Sequence, residues 1–368
     1  MKQKASDDWA TGLDSQLLRL MDANFNRAGE AIRVVEDCLR FCLRDRQLCH
    51  FAKSLRHNLA EAGQALFPRQ RTLMRDASSD PGRYHSTAAE LQRNDVNAIL
   101  QANLKRFQQA VRSIEEAAKC FDPETGQSVE QLRYDSYTLE KAVLNNMQAR
   151  RVLGSHWLCV LIDAGNSASQ FESRAKRLLD AGVPILQLRD KKLDDRRLLE
   201  RAAQLRSWTR SAGAICVIND RLDIALASDA DGVHLGQQDL PCQQARQLLG
   251  PKRLIGVSTH SIEQARQAVL EGADYIGAGP VFSSTTKQFS RLVGTGLLRQ
   301  VAHEISLPTF AIGGIDLNNA ADVFKTGIQR IALGAAFHNL QTATQSFQAF
   351  SEIRDQTRIE SAEQHELP

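Results

Sequence analysis

The chain has 368 residues, 42% of them hydrophobic, and a formal net charge of +3. It is longer than one barrel of about 200 to 250 residues needs, so a second domain is expected. The near-neutral charge argues against a nucleic-acid partner, and no apolar run approaches the roughly 18 residues of a membrane span.

Residues 1–14 are polar and lack the apolar stretch of a secretory signal. Segments 15–47, 48–66, 87–120 and 126–150 carry apolar positions at three- and four-residue spacing, with few β-branched clusters. This periodicity predicts an all-helical domain over 1–150. Within it, residues 23–37 align without gaps to residues 102–116, at an offset of 79. Asn, Arg, Ala, Arg and Glu recur at equivalent places, which predicts a pseudo-twofold bundle formed by duplication. Two readings of the repeat stand side by side. Its polar residues form ion-paired, solvated helix faces, as Arg33 reaching Asp37 would, or Asn24, Arg27, Asn103 and Arg106 converge on an anionic ligand. Arg75-Asp76 and Asp80-Pro81-Gly82 read as a polar turn that could meet a phosphate or metal. No nucleotide-binding G-x-x-x-x-G-K-[ST] loop is present. The seven cysteines, at 38, 42, 49, 120, 159, 216 and 242, are odd in number and irregularly spaced. They fit reduced cytoplasmic thiols rather than a disulfide framework or a zinc site.

Near Gly154 the rhythm changes. Short apolar runs at 157–163, 185–190, 215–220, 232–236, 254–258, 275–279, 309–313 and 330–334 alternate with helical stretches. Eight such units predict a parallel (β/α)8 TIM barrel over 151–352, rather than an open doubly wound sheet of five or six. A polar tail, 353–368, is expected to fray. Barrels carry their chemistry at the carboxyl ends of the strands, and the polar groups of this half gather there. Strand two carries Gln187 and Arg189 and ends in Asp190-Lys191-Lys192. Strand three ends in Asn219-Asp220, and strand four leads to Asp239. Strand five ends in Ser258-Thr259-His260, and strand six runs into Ser283-Ser284-Thr285-Thr286-Lys287. Strands seven and eight end in Gly313-Gly314 and Gly334.

Asp220 and Asp239 are hard oxygen ligands of the kind Mg2+ prefers. With Arg189, Lys191 and Lys287 they outline one anion site. The hydroxyl loop and the late glycines outline a second, because glycine lets a backbone N–H approach a phosphate closely. Each element also has a plainer reading. A Ser/Thr loop is often only solvated, Asp220 could be a helix N-cap, and Lys191-Lys192 could be a surface pair. His234 is either a core histidine held by a hydrogen bond or part of the site. His260 is a weaker candidate than Ser258.

Six motifs then occur in order: Gln187-Leu188-Arg189-Asp190-Lys191, Ile218-Asn219-Asp220-Arg221, Gly232-Val233-His234-Leu235-Gly236-Gln237-Gln238-Asp239, Gly256-Val257-Ser258, Gly279-Pro280-Val281-Phe282 with the loop to Lys287, and Ala311-Ile312-Gly313-Gly314-Ile315. Through them residues 155–345 resemble the thiamine phosphate synthases. The resemblance implies a transferase that joins hydroxymethylpyrimidine diphosphate to a thiazole phosphate and releases diphosphate. It implies that Gln187, Leu188, Arg189, Asp190, Lys191, Asn219, Ser258 and Lys287 hold the pyrimidine diphosphate, with Arg189, Lys191, Ser258 and Lys287 catalytic. Asp220 and Asp239 would hold Mg2+, and Ser284, Thr285, Thr286 and Gly314 the thiazole phosphate. Gly334-Ala335 departs from the aliphatic-Ser pair common in the family, which removes one hydroxyl contact worth about 1 kcal/mol. The related thiazole tautomerase is an alternative for the barrel, disfavoured by retention of the cationic residues and both aspartates. A catalytically inactive regulatory barrel is a third reading. The helical half resembles the domain fused ahead of some family members, to which hydroxymethylpyrimidine phosphate kinase activity has been attributed. A non-catalytic channelling or oligomerisation module is the alternative. The expected partners are small phosphorylated molecules in the cytoplasm, with no membrane or nucleic acid; a homo-oligomer stays open.

Overall fold

The computed structural model describes residues 12–76, 92–283, 292–334 and 343–363. It divides into two compact units, Met1–Leu144 and Asn145–Pro368.

In the first unit, α1 (Gly12–Asp37) runs into one π-helical turn, Cys38–Cys42. The helix expected over 15–47 ends there because Asp45 caps the next one. Its carboxylate accepts the Leu48 N–H at 2.9 Å and opens α2 (Arg46–Ala65). A short helix that periodicity did not reveal, α3 (Pro68–Leu73), follows; Phe67 adopts a left-handed conformation (φ 49°) and Pro68 takes the first helical position. Arg71 on α3 is buried, lies over the Phe25 ring at 4.1 Å and donates to the Gly63 carbonyl at 2.8 Å. Helix α4 (Val96–Ala118) starts where Asp95 accepts the Ala98 N–H, later than the expected 87. Helix α5 (Pro123–Leu153) follows.

The repeat is a packing device. Helix α1 lies against α4 and α2, burying Met21, Ala28, Ile32 and Val35 with Leu100, Leu104, Phe107 and Val111. Asn24 and Asn103 each donate to the carbonyl four residues back, Leu20 and Ile99, both at 2.8 Å. Arg33 pairs with Glu36 and Asp37, and its repeat equivalent Arg112 pairs with Glu115 and Glu116. Arg27 and Arg106 are exposed. The two asparagines thus turn their amides onto their own helices, which favours the ion-paired reading over a shared ligand.

All eight expected strands form: β1 (Leu158–Ile162), β2 (Ile185–Leu188), β3 (Ile215–Asn219), β4 (Gly232–Leu235), β5 (Leu254–Thr259), β6 (Tyr275–Ala278), β7 (Thr309–Ile312) and β8 (Arg330–Leu333). They close in sequence order, every neighbour parallel, with β1 paired to β8. Strand residues alternate faces. Val160, Leu186, Ile218, Val233, Ile255 and Ile331 are buried on the face toward the surrounding helices, among them α6 (Ala168–Asp180), α7 (Asp195–Ala212) and α8 (Leu222–Ala227). Inside, Cys159, Ile185, Val217, Leu254, Tyr275, Phe310 and Ala332 form one apolar cluster, sealed by Leu153. The β4 member is Gly232, where a Cβ would lie 2.5 Å from the Leu254 carbonyl oxygen. The last turns of α5 therefore belong to the barrel unit, and Asn145 donates to the Ala273 carbonyl at 2.6 Å. The helix Ala343–Glu363 carries most of the expected polar tail, anchored by buried Phe350 and by Arg354 over the Trp157 ring at 4.5 Å.

The first unit turns on Glu115. Its side chain is 0% exposed and accepts from Arg112 at 2.6 Å, Arg133 at 2.8 Å and Lys119 at 2.9 Å. Burial pushes its pKa up, but the hydrogen bonds from Arg133 and Lys119 outweigh that and hold it below the usual carboxylate value. A depressed pKa gives stability that is present above the unfolded value and lost as pH falls through the folded one. Glu115→Gln should therefore destabilise the helical unit by about 2–3 kcal/mol near pH 7, below the roughly 3–5 kcal/mol of a fully buried broken pair because its partners are partly solvated. Urea unfolding followed by circular dichroism checks this, and the difference from wild type should shrink in acid.

Candidate active site

Above the apolar cluster the lumen turns polar. The inward positions one layer higher are Gln187 on β2, Asn219 on β3, His234 on β4 and Ser258 on β5, around a cavity of about 250 Å³. Arg189, His260, Gly279, Gly313, Gly314 and Gly334 complete its mouth. Gln187 receives the Cys159 thiol at 3.8 Å and donates to Asn219 Oδ1 at 2.8 Å. His234 lies between the Tyr275 hydroxyl, 3.2 Å from Nδ1, and Ser258 Oγ, 2.9 Å from Nε2. Burial pushes the His234 pKa down to about 4, so the ring is neutral near pH 7. The histidine is thus both hydrogen-bonded in the core and part of the cavity wall.

Glycine makes that seat. A Cβ at Gly256 would lie 2.1 Å from Tyr275 Cζ and 2.5 Å from His234 Nδ1. Tyr275 and Gly256 were not expected in the site from the sequence. The available signal was a tyrosine opening an otherwise aliphatic strand, with a glycine two residues before Ser258.

Leu188 is fully buried and takes the outward face of β2, away from the lumen. Asp190 braces the loop after β2, accepting N–H groups from Lys192 at 2.7 Å, Leu193 at 3.1 Å and Ala164 at 3.1 Å. Burial raises its pKa, but those backbone donors hold it below the usual value. Lys191 is exposed, its Nζ 3.9 Å from Asp220 Oδ2.

Asp220 does not cap α8, whose N-cap is Arg221. It stands in a left-handed conformation, φ 62°, with its N–H donated to the His234 carbonyl at 2.8 Å. That turn brings its carboxylate beside Asp239, whose Oδ2 accepts the Gly236 N–H at 2.6 Å. The Asp220 pKa is raised, first by burial and then by Asp239, against the pull of Lys191 and Arg189. Two adjacent carboxylates that resist joint ionisation suit a hard divalent cation, which would relieve their repulsion.

On the opposite rim, Gly313 and Gly314 have φ values of 104° and 62°, and a Cβ on Gly314 would lie 2.2 Å from the Ser283 carbonyl oxygen. Only glycine fits this bend. Ser284, Thr285, Thr286, Lys287 and Ala335 lie outside the described residues. Among the described residues no helix is long and apolar enough to cross a membrane.

A closed parallel barrel with a donor-lined cavity, cations and a carboxylate pair at the carboxyl ends of its strands defines a (β/α)8-barrel enzyme. A family profile described as thiamine monophosphate synthase matches residues 158–337, and one described as the ThiD2 family matches residues 19–142. The chain is 42% identical to a thiamine-phosphate synthase of Nostoc sp. (strain PCC 7120), over 86% of this chain and 88% of that one. It is also 42% identical to one of Rhodopirellula baltica, over 87% and 88%. A solved structure of thiamine phosphate pyrophosphorylase from Pyrococcus furiosus superposes with a TM-score of 0.50 at 33% identity, covering 58% of this chain and 98% of that one. The chain belongs to the thiamine-phosphate synthase family, whose members are transferases.

Asp220 combines strained backbone with a raised pKa, and both oppose stability at neutral pH. A raised carboxylate pKa contributes stability that is present at low pH and lost as pH rises through the folded value. Asp220→Asn, which removes the charge and tolerates φ > 0, should raise the melting temperature near pH 7 by about 2–4 °C, kept small because the pair is partly solvated. The gain should fade on acidification, as read by calorimetry at two pH values.

Proposed function

We propose that the barrel condenses 4-amino-2-methyl-5-(diphosphooxymethyl)pyrimidine with 4-methyl-5-(2-phosphooxyethyl)thiazole to give thiamine phosphate and diphosphate. The observation that carries this reading is the carboxylate pair Asp220–Asp239, set beside Lys191 and Arg189 on the rim of a donor-lined cavity, in a chain of this family.

The chemistry asks little of a general base. The C–O bond at the pyrimidine methylene breaks and its electron pair leaves with diphosphate. The thiazole nitrogen then uses its free lone pair to form the C–N bond, and no proton need move. The protein's task is electrostatic and positional. Arg189 and Lys191, with Lys287, would counter the charge growing on the departing diphosphate. Gln187, Asn219 and Ser258 would orient the pyrimidine half. Asp220 and Asp239 would hold Mg2+, which when bound supplies positive charge to the diphosphate oxygens. The bend at Gly313-Gly314 would offer backbone N–H groups to the thiazole phosphate, with Ser284, Thr285 and Thr286. We assign the enzyme to the cytoplasm, a reading supported by seven free cysteines, four of them buried.

The match of residues 19–142 to the ThiD2 family favours a second reading for the helical unit. It would phosphorylate hydroxymethylpyrimidine phosphate and so make the diphosphate that the barrel consumes.

In an assay of the full chain with both phosphorylated substrates and Mg2+, thiamine phosphate should form, and EDTA should abolish its formation. Arg189→Ala should lower kcat by about 10²–10³-fold, the usual loss for one preorganised transition-state donor. No product from a folded chain would overturn the synthase reading. Separately, ATP and the pyrimidine monophosphate should yield ADP and the diphosphate in equal amounts; no ADP would leave the helical unit without kinase activity.

A further inference from the structure

The lumen holds two hydrogen-bond chains, and each starts at a group that keeps its proton. One runs from Tyr275 through His234 to Ser258, the other from Cys159 through Gln187 to Asn219. Tyr275 is 5% exposed, and His234 Nδ1 is the one partner its hydroxyl meets among the described residues. Burial raises its pKa well above the ordinary value, so the phenol stays protonated. A buried phenol that did not donate would leave its proton unmet. It therefore donates to Nδ1, and a ring whose Nδ1 accepts carries its hydrogen on Nε2. Nε2–H then donates to Ser258 Oγ, and the serine's own proton is free to point into the cavity.

The second chain has the same polarity. Burial pushes the Cys159 thiol up to about 12, so it donates to Gln187 Oε1. The Gln187 amide must then donate to Asn219 Oδ1, which leaves Asn219 Nδ2 as a donor at the mouth. The histidine has little freedom to do otherwise. Gly256 and Gly277 close around it, since a Cβ at either would meet the ring at 2.5 Å and 3.2 Å. Gln237 holds the Ser258 carbonyl at 2.6 Å, which leaves the hydroxyl's direction to His234.

We propose that Tyr275 and His234 are positioning residues that fix Ser258 as a hydrogen-bond donor toward substrate, while Cys159 and Gln187 do the same for Asn219. The wall from β3 to β5 then offers donors to acceptors on the substrate, either phosphoryl oxygens or unprotonated ring nitrogens. The identity of the substrate rests on the synthase reading; the direction of the chains does not.

The test is a long-range ¹H–¹⁵N correlation spectrum of the full chain labelled at histidine nitrogen, with the His234 signals identified by their loss in His234→Gln. Near pH 7 the ring should show a protonated Nε2 and an unprotonated Nδ1. Tyr275→Phe should retain the fold, populate both tautomers and lower kcat/KM by about fivefold. His234→Leu should lower kcat/KM by about 30-fold, and His234→Gln, whose amide N–H can stand in for Nε2–H, should recover most of it. In a Ser258→Ala chain, His234→Leu should cost less than about twofold more, because the group it positions is gone. A ring protonated on Nδ1, or losses at His234 and Ser258 that multiply, would overturn the proposal. If His234→Leu fails to fold, the spectrum and Tyr275→Phe decide. A wild-type chain that makes no product would sink the synthase reading and leave the spectrum to judge the relay.

Discussion

Everything in the second unit follows from closure of eight parallel strands. A closed barrel leaves each strand two or three inward positions, and those side chains must share one narrow lumen. The lower positions are filled by Cys159, Ile185, Val217, Leu254, Tyr275, Phe310 and Ala332, with Leu153 as the seal. Because that layer is apolar, the polar groups above it are satisfied by one another and by the Tyr275 hydroxyl and Cys159 thiol that reach up from it. Gln187, Asn219, His234 and Ser258 are paired through fixed hydrogen bonds. The apolar floor thereby orients the polar ceiling.

How the charges are placed follows from the same geometry. Strand ends open onto loops, so Arg189, Lys191, Asp220 and Asp239 sit where backbone turns, not strand alternation, direct them. Asp220 needs a left-handed residue to reach Asp239. Three backbone N–H groups converge on Asp190 and, against its burial, hold its pKa below the usual carboxylate value. The rim therefore stores unfavourable electrostatics that an anionic, cation-bearing ligand would relieve, the usual exchange of stability for function.

Most of the barrel was legible in the sequence, because short aliphatic runs ending in polar residues recur with few alternative explanations. Seven of the eight strands lie within the expected segments, and β5 runs one residue past its own, to Thr259. The helical unit was harder. Its long helices showed in their spacing, but the stop at Asp37, the cap at Asp45 and the start at Pro68 depend on local hydrogen bonds and backbone conformation that periodicity does not encode. The tail beyond 353 reads as unstructured because few apolar residues anchor the helix Ala343–Glu363. In the site, residue types pointed to the strand ends, and Gln187, Arg189, Asn219 and Ser258 line one cavity there. Motif adjacency gave Leu188 and Asp190 the same standing as their neighbours, and only the alternation of β2 and the loop's own bonding separate them. The role of Tyr275 is not legible in the sequence, because a tyrosine's partner across the lumen is set by barrel register, a relation between strands far apart in sequence.

The glycines facing the lumen carry a longer implication. At Gly232, Gly256 and Gly314 even a methyl group would collide with a neighbouring strand, ring or carbonyl. These positions are holes in the shape of particular neighbours, so a change at one demands a matching change at another. Stepwise evolution cannot easily cross such a gap, because every intermediate is either overfilled or hollow. Descendants of this chain would therefore explore new substrates through the loops above the barrel while its interior passed down nearly unaltered.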